Sequence, residues 1–224
     1  MSTGDFLSDT APSSAAQGAT DRTAMICAAA NELLAEDGLE GLTIRAVLAR
    51  TGLARRAFYE RFQGKDDLVL AVFAETLRNA GEQFGALARE APDATEGLRR
   101  IVIGIVLGQL GFEPDIGSGH NRRSAALSRE HLRLAESRPA DLQAALRPLL
   151  DIIAWQVEQG IASGQFRDCD PQVHSKLVYN LVATTVHVEL LAEEGGLPDY
   201  ERRKQLAEAI WQFCRRATVA DPTG

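Results

Sequence analysis

Between Thr43 and Lys65 the chain reads TIRAVLARTGLARRAFYERFQGK, a pattern with few structural solutions. Leu42, Ile44, Val47 and Leu48 fall at helical spacing, Thr43 is a good N-cap, and Gly52 follows the last periodic residue, where a left-handed turn residue is expected. A helix of about two turns ending near Thr51 follows. Past Leu53, the residues Ala57, Phe58 and Phe62 share a second apolar face, leaving Arg55, Arg56, Tyr59 and Arg61 to project elsewhere. Two short helices around a glycine turn, the second rich in arginine, have the sequence form of a helix-turn-helix, whose second helix enters the DNA major groove.

The charge points the same way. Arg45, Arg50, Arg55, Arg56, Arg61 and Lys65 stand against the single acid Glu60, a local +5 in a chain of formal net charge −7. The remainder, at −12, opposes non-specific association with DNA.

This stretch resembles the TetR family of bacterial transcriptional regulators. The resemblance rests on a helix ending near Gly38, then Leu42-Thr43, the Thr51-Gly52 turn, Phe58-Tyr59, Phe62, and Lys65 opening the next helix. It continues more weakly at Gly160, Gly164-Gln165-Phe166-Arg167 and Asp170-Pro171, which look like the family's turn between its seventh and eighth helices. The resemblance implies that Thr43, Tyr59 and Lys65 hold phosphates while Arg55, Arg56 and Arg61 face the bases, with Arg45 in the same DNA-binding set. Chemistry agrees: hydroxyls and free N–H groups at a helix start suit phosphate oxygens, and arginine grips the O6 and N7 edge of guanine with two parallel bonds. Several positions depart from the family pattern, among them Arg56, which replaces the small residue or proline common near the start of the recognition helix. Glu60 would repel DNA unless Arg56 or Arg61 pairs with it, Ala54 replaces a hydroxyl cap, and Gln63-Gly64 replaces the usual proline and polar cap.

The rest of the chain carries only helical signals, giving an expected all-α fold of about nine helices. Residues 1–20 read as a flexible tail without signal-peptide character, 21–66 as the helix-turn-helix domain, 67–220 as an effector-binding and dimerisation domain, and 221–224 as a flexible end. Asp21 to Glu36 forms the first helix; Asp66 to about Arg89 forms a long helix shared by both domains, able to convert a shift in one into a respacing of recognition helices. Leu98 to Phe112 is apolar nearly all round, yet too short to span a bilayer, so it is a buried central helix. Its Gly104, Gly108 and Gly111 leave room either for a close helix neighbour or for a small molecule. Phe112 to Gly119 reads as a loop. Helices follow over Asn121–Glu136, Asp141–Ser163, Val173–Glu193 and Asp199–Val219, with Pro148 implying a kink or a later start in the second of these.

Polar residues on apolar faces mark a candidate pocket. Asn180, Thr184 and His187 form a ladder on one face of a largely apolar helix, and Gln156 falls on a core stripe; each needs a partner. One solution is an effector held by these four together with Gln109, Phe112 and His131; the other sets the ladder across a two-fold dimer axis. Family resemblance places the dimer interface on the last two helices, where Leu206, Ile210, Phe213 and Ala217 form a stripe beside Trp211 and Cys214.

Enzyme readings find little support. His120, His131, His174 and His187 lack metal-ligand spacing, Gly117-Ser118-Gly119 is not a dinucleotide fingerprint, and neither a phosphate loop nor a nucleophile elbow occurs. No catalytic residue, metal or cofactor is therefore expected. Cys27, Cys169 and Cys214 suit reduced thiols. With 45% hydrophobic and 25% charged residues the chain can bury a full core. The expectation is a cytoplasmic, ligand-responsive repressor, a homodimer reading a palindromic operator and released by a mainly apolar small-molecule effector, without membrane partners. The alternative is a helical small-molecule binding protein with vestigial DNA contacts.

Overall fold

A computed structural model describes residues 14–110, 118–193 and 198–220, and among these the chain is all-helical apart from one isolated bridge, Phe166 to Val219. The expected tail segment 1–13, the Phe112 pocket position, most of the expected loop and the end 221–224 lie outside the described residues. Among the described residues there are nine helices: α1 (Ser14–Gly41), α2 (Ile44–Thr51), α3 (Arg55–Tyr59), α4 (Lys65–Arg89), α5 (Ala94–Leu110), α6 (Ser118–Ser137), α7 (Pro139–Ala162), α8 (Pro171–Ala192) and α9 (Tyr200–Thr218). α1 starts at Ser14, within the segment expected to be tail, and runs to Gly41 across a break at Gly38, whose φ of 67° ends regular hydrogen bonding.

Capping sets the local architecture of the first unit. Thr43 Oγ1 accepts from the Ala46 amide at 3.1 Å, and Gly52, at φ 68°, returns its N–H to Leu48 O, so α2 is closed at both ends. Ile26, Ala30, Leu34, Leu42, Val47, Phe58 and Leu68 then bury one small core that fixes α1, α2, α3 and the start of α4. α4 continues out of this core into the second.

The second unit is built around α5, against which α4, α7, α8 and α9 pack. Leu98, Ile101, Val102 and Val106 are wholly buried, as a helix apolar all round requires. Gly104 admits the Phe84 ring of α4, which a Cβ would approach to 2.6 Å. Gly81 and Gly85 let α4 lie against α7 beside Pro148 and Ile152. Pro148 lies inside α7, which continues through it, so the later start does not occur.

The turn after α7 explains its glycines. Gly164 takes φ 74°, the Gln165 and Phe166 amides both donate to Gly160 O, and the Phe166 ring lies directly on Gly160, where a Cβ would overlap it. Overpacking a site of this kind costs about 1–3 kcal/mol. Gly160→Ala is expected to lower stability by that amount in urea unfolding, and Gly160→Ala combined with Phe166→Leu should cost less than the two single changes together.

Candidate functional site

The presumed reading face is exposed and partly ordered by its own side chains. Thr43, Arg45, Arg55, Arg56 and Tyr59 are all exposed. Arg55 lies over the Tyr59 ring, 5.4 Å from its centroid, and donates to the Tyr59 hydroxyl at 3.3 Å, so one side chain steadies the other. Glu60 is paired with both Arg56, at 3.0 Å, and Arg61, at 3.6 Å, and so presents no bare carboxylate. Ala54 and Gly64 provide no side-chain cap, as their identities imply.

Three basic residues of this stretch also bond within the protein. Arg61, expected at the bases, is turned inward: its side chain is only 12% exposed and donates to Ala57 O at 3.0 Å. Lys65 Nζ donates to Leu39 O at 2.7 Å, fastening α4 to the end of α1. Arg50 is held by Glu36 and Glu32 of α1, and the hydrogen bonds from its guanidinium lower the Glu36 pKa.

A second set of arginines, not singled out by periodicity, fastens this unit to the rest. The break at Gly38 strips the Ala35 and Glu36 carbonyls of helical partners, and Arg122 of α6 donates to both. Arg123 Nε donates to Asn31 of α1 and its second amino group to Thr76 of α4, each at 2.8 Å. Arg133 grips Asp66 with two bonds of 3.0 and 3.1 Å, and Arg138 reaches Asp67 at 2.5 Å. Asp67 also accepts from the Gln63 amide, and these bonds, the backbone one first, hold its carboxyl below the usual range.

Beneath this fastening lies a cavity of about 540 Å³, bounded by α1, α4, α5, α6, α7 and α8. That volume falls within the roughly 300–1,000 Å³ usual for small-molecule sites. Gln109, His131, Asn180, Thr184 and His187 line it, with Asn180 and Thr184 exposed on the α8 face that also carries Leu177 and Val188. Gln156 does not: its amide nitrogen donates to Ala94 O at 2.9 Å, pressed against Gly97, while its buried Oε1 has no partner among the described residues. Gly108 lines the cavity while Gly104 accommodates Phe84, so the glycines serve both of the roles open to them.

The wall holds two hydrogen-bonded pairs, Ser128 with His187 Nδ1 at 2.7 Å and Tyr179 with His131 Nδ1 at 3.1 Å. His131 stacks on Tyr179 and meets Phe73 edge-on. Burial, then the neighbouring His187, lowers the His131 pKa, and burial raises that of Tyr179.

The dimer residues are also redistributed. Ile210 is buried in the protomer core with Ala207, Trp211 and Cys214, and Leu206 packs partly against it, whereas Phe213 and Ala217 are exposed. The larger exposed apolar face is on α8, carrying Val173, Leu177, Val188 and Leu191. Among the described residues no helix is long and apolar enough to cross a membrane.

A helix-turn-helix is thus joined by the long helix α4 to helices that border a cavity. Residues 26–72 match the sequence model described as bacterial regulatory proteins, tetR family. No curated protein matches the sequence. A TetR-family transcriptional regulator from Pectobacterium atrosepticum is similar over 94% of this chain and 100% of its own, at 22% identity and a TM-score of 0.67. The transcriptional regulator FadR from Bacillus subtilis, in complex with stearoyl-CoA, is similar over 87% of this chain and 98% of its own, at 18% identity and a TM-score of 0.67. The ketosteroid transcriptional regulator KstR2 of Mycobacterium tuberculosis covers 89% and 96%, at 19% and 0.54. At such identities the likeness is one of fold.

His131, His120 and His174 all have lowered pKa values, with burial the leading cause. Their neutral forms contribute stability that is fully present above the unfolded value of about 6.5 and is lost as pH falls through the lower folded values. Urea midpoints are therefore expected to drop between about pH 7 and 5, and to drop less in His131→Gln.

Proposed function

We propose that the protein is a one-component transcriptional repressor: a homodimer that reads a palindromic operator with paired α3 helices and is released when a small-molecule effector enters the cavity. The observation carrying this reading is an exposed arginine-rich helix-turn-helix rigidly fastened to a cavity of ligand size. Thr43, Arg45, Tyr59 and Lys65 contact phosphates, while Arg55 and Arg56 reach base edges and Arg61 supports the helix from behind. The match of residues 26–72 to a model of bacterial regulatory proteins supports DNA binding. The fold-level likeness to a regulator holding stearoyl-CoA, and to a ketosteroid regulator, supports a mainly apolar effector.

The dimer forms through the exposed apolar face of α8, with Phe213 and Ala217 of α9 at its margin. Val173, Leu177, Val188 and Leu191 recur at spacings that suit packing against a second copy of the same helix. Two recognition helices about 34 Å apart then match successive turns of the duplex. Leu177→Glu is expected to yield a folded monomer in sedimentation; a dimer of unchanged affinity would place the interface elsewhere.

Selection of random duplex DNA on the purified dimer, at near-physiological salt, tests the reading. A symmetric motif is expected from the parent and none from Arg55→Ala/Tyr59→Ala. On the selected sequence Arg55→Ala should cost about 1–3 kcal/mol and relax choice at one base, whereas Arg45→Ala should weaken all sequences alike and flatten the salt slope by about one. No enrichment by folded, ligand-free dimer would favour a helical small-molecule binding protein with vestigial DNA contacts.

A further inference from the structure

Arg123 and Glu75 are the two formally charged side chains in the described lining of the cavity. Arg123 spends two of its N–H groups on neutral oxygens, Asn31 Oδ1 and Thr76 Oγ1, and among the described residues it meets no carboxylate within ion-pair distance. A guanidinium has five donors and is charged at any physiological pH, so a half-buried one with neutral partners retains both charge and hydrogen-bonding capacity. Glu75 is close enough to favour that charge but makes no hydrogen bond to it, and its field also acts on Cys27 of α1.

The remaining surface is apolar on one side and neutral on the other. Phe73, Leu77, Phe84 and Leu127 offer a hydrocarbon wall, and the histidines are occupied by Ser128 and Tyr179. A ligand satisfying all of this has an aliphatic or alicyclic body and one compact anionic end.

Resting on the reading of the cavity as the effector site, we propose that the effector is an amphipathic anion whose carboxylate or phosphate end is held by Arg123. The geometry also gives this end a mechanical consequence. An anion on the remaining donors draws the guanidinium away from Asn31 and Thr76, so binding loosens one of the ties between α6 and α1. The ligand's charge thus acts on the helix that braces α2.

Calorimetric titration with dodecanoate, dodecanol and dodecylamine, each below its aggregation limit, tests the assignment. The parent is expected to bind dodecanoate at least about tenfold more tightly than dodecanol. Arg123→Gln should bring that ratio close to one, and Arg123→Lys should keep part of it. Should Arg123→Gln not fold, the three-ligand comparison on the parent still decides. Equal binding of acid and alcohol would overturn the anionic end while leaving the cavity as the effector site. Preference for the amine would assign the cavity's recognition to Glu75 and overturn the proposal. Binding of none of the three would overturn both the proposal and the effector reading of this cavity.

Discussion

The contacts of α6 and the adjoining start of α7 with the DNA-binding unit decide what the rest of the molecule can do. A three-helix unit with a core as small as that around Phe58 and Leu34 has modest stability of its own, and its orientation is set by whatever grips it. Here Arg122 caps carbonyls exposed by the Gly38 break, Arg123 joins Asn31 to Thr76, and Arg133 and Arg138 hold the two acids that open α4. Individually, exposed ion pairs contribute little. Four ties, two of them ion pairs and two hydrogen-bonded to neutral oxygens, converge on α1 and α4 as a network, and they leave the helix-turn-helix few ways to move independently.

This fastening lies over the cavity, and that superposition would supply the coupling the proposed function requires. Asn31 and Ala28 of α1 line the same space as His131, Asn180 and His187 of the helical unit, so a ligand touches the brace of the DNA-binding unit directly. α4 crosses from one core to the other without a break. An effector favouring the DNA-incompetent arrangement by about 3 kcal/mol would weaken operator binding by roughly two orders of magnitude. A coupling of that size corresponds to only a few of the interactions that join α6 to α1.

Most helices were legible because their signals are local. Thr43 and Gly52 cap α2 in the conformations their chemistry favours, and the unbroken apolar run of α5 could only be central. The ladder on α8 was legible as an anomaly, and it borders the cavity. Side-chain direction was less accessible. On α9 two stripes share Ile210, and the sequence favoured the one through Phe213, whereas the core took the one through Trp211 and Cys214. Gln156 looked like a ligand group because a buried amide needs a partner, and that partner proved to be the Ala94 carbonyl, distant in sequence. Nothing in the spacing of Arg122 and Arg123 points to their acceptors, which come within reach because Gly38 interrupts α1 and because α6 folds back onto it. Tertiary partners of long cations leave little trace in periodicity.

The central claim is that α6 transmits cavity occupancy to the helix-turn-helix, and operator affinity measured with and without saturating dodecanoate tests it most directly when parent and Arg122→Ala are compared. Arg122 lies outside the cavity lining, so the variant should bind dodecanoate as the parent does. The account predicts a loss of operator affinity of about tenfold or more in the parent and a clearly smaller loss in the variant. Equal losses in both proteins, or none in a parent that demonstrably binds dodecanoate, would contradict it.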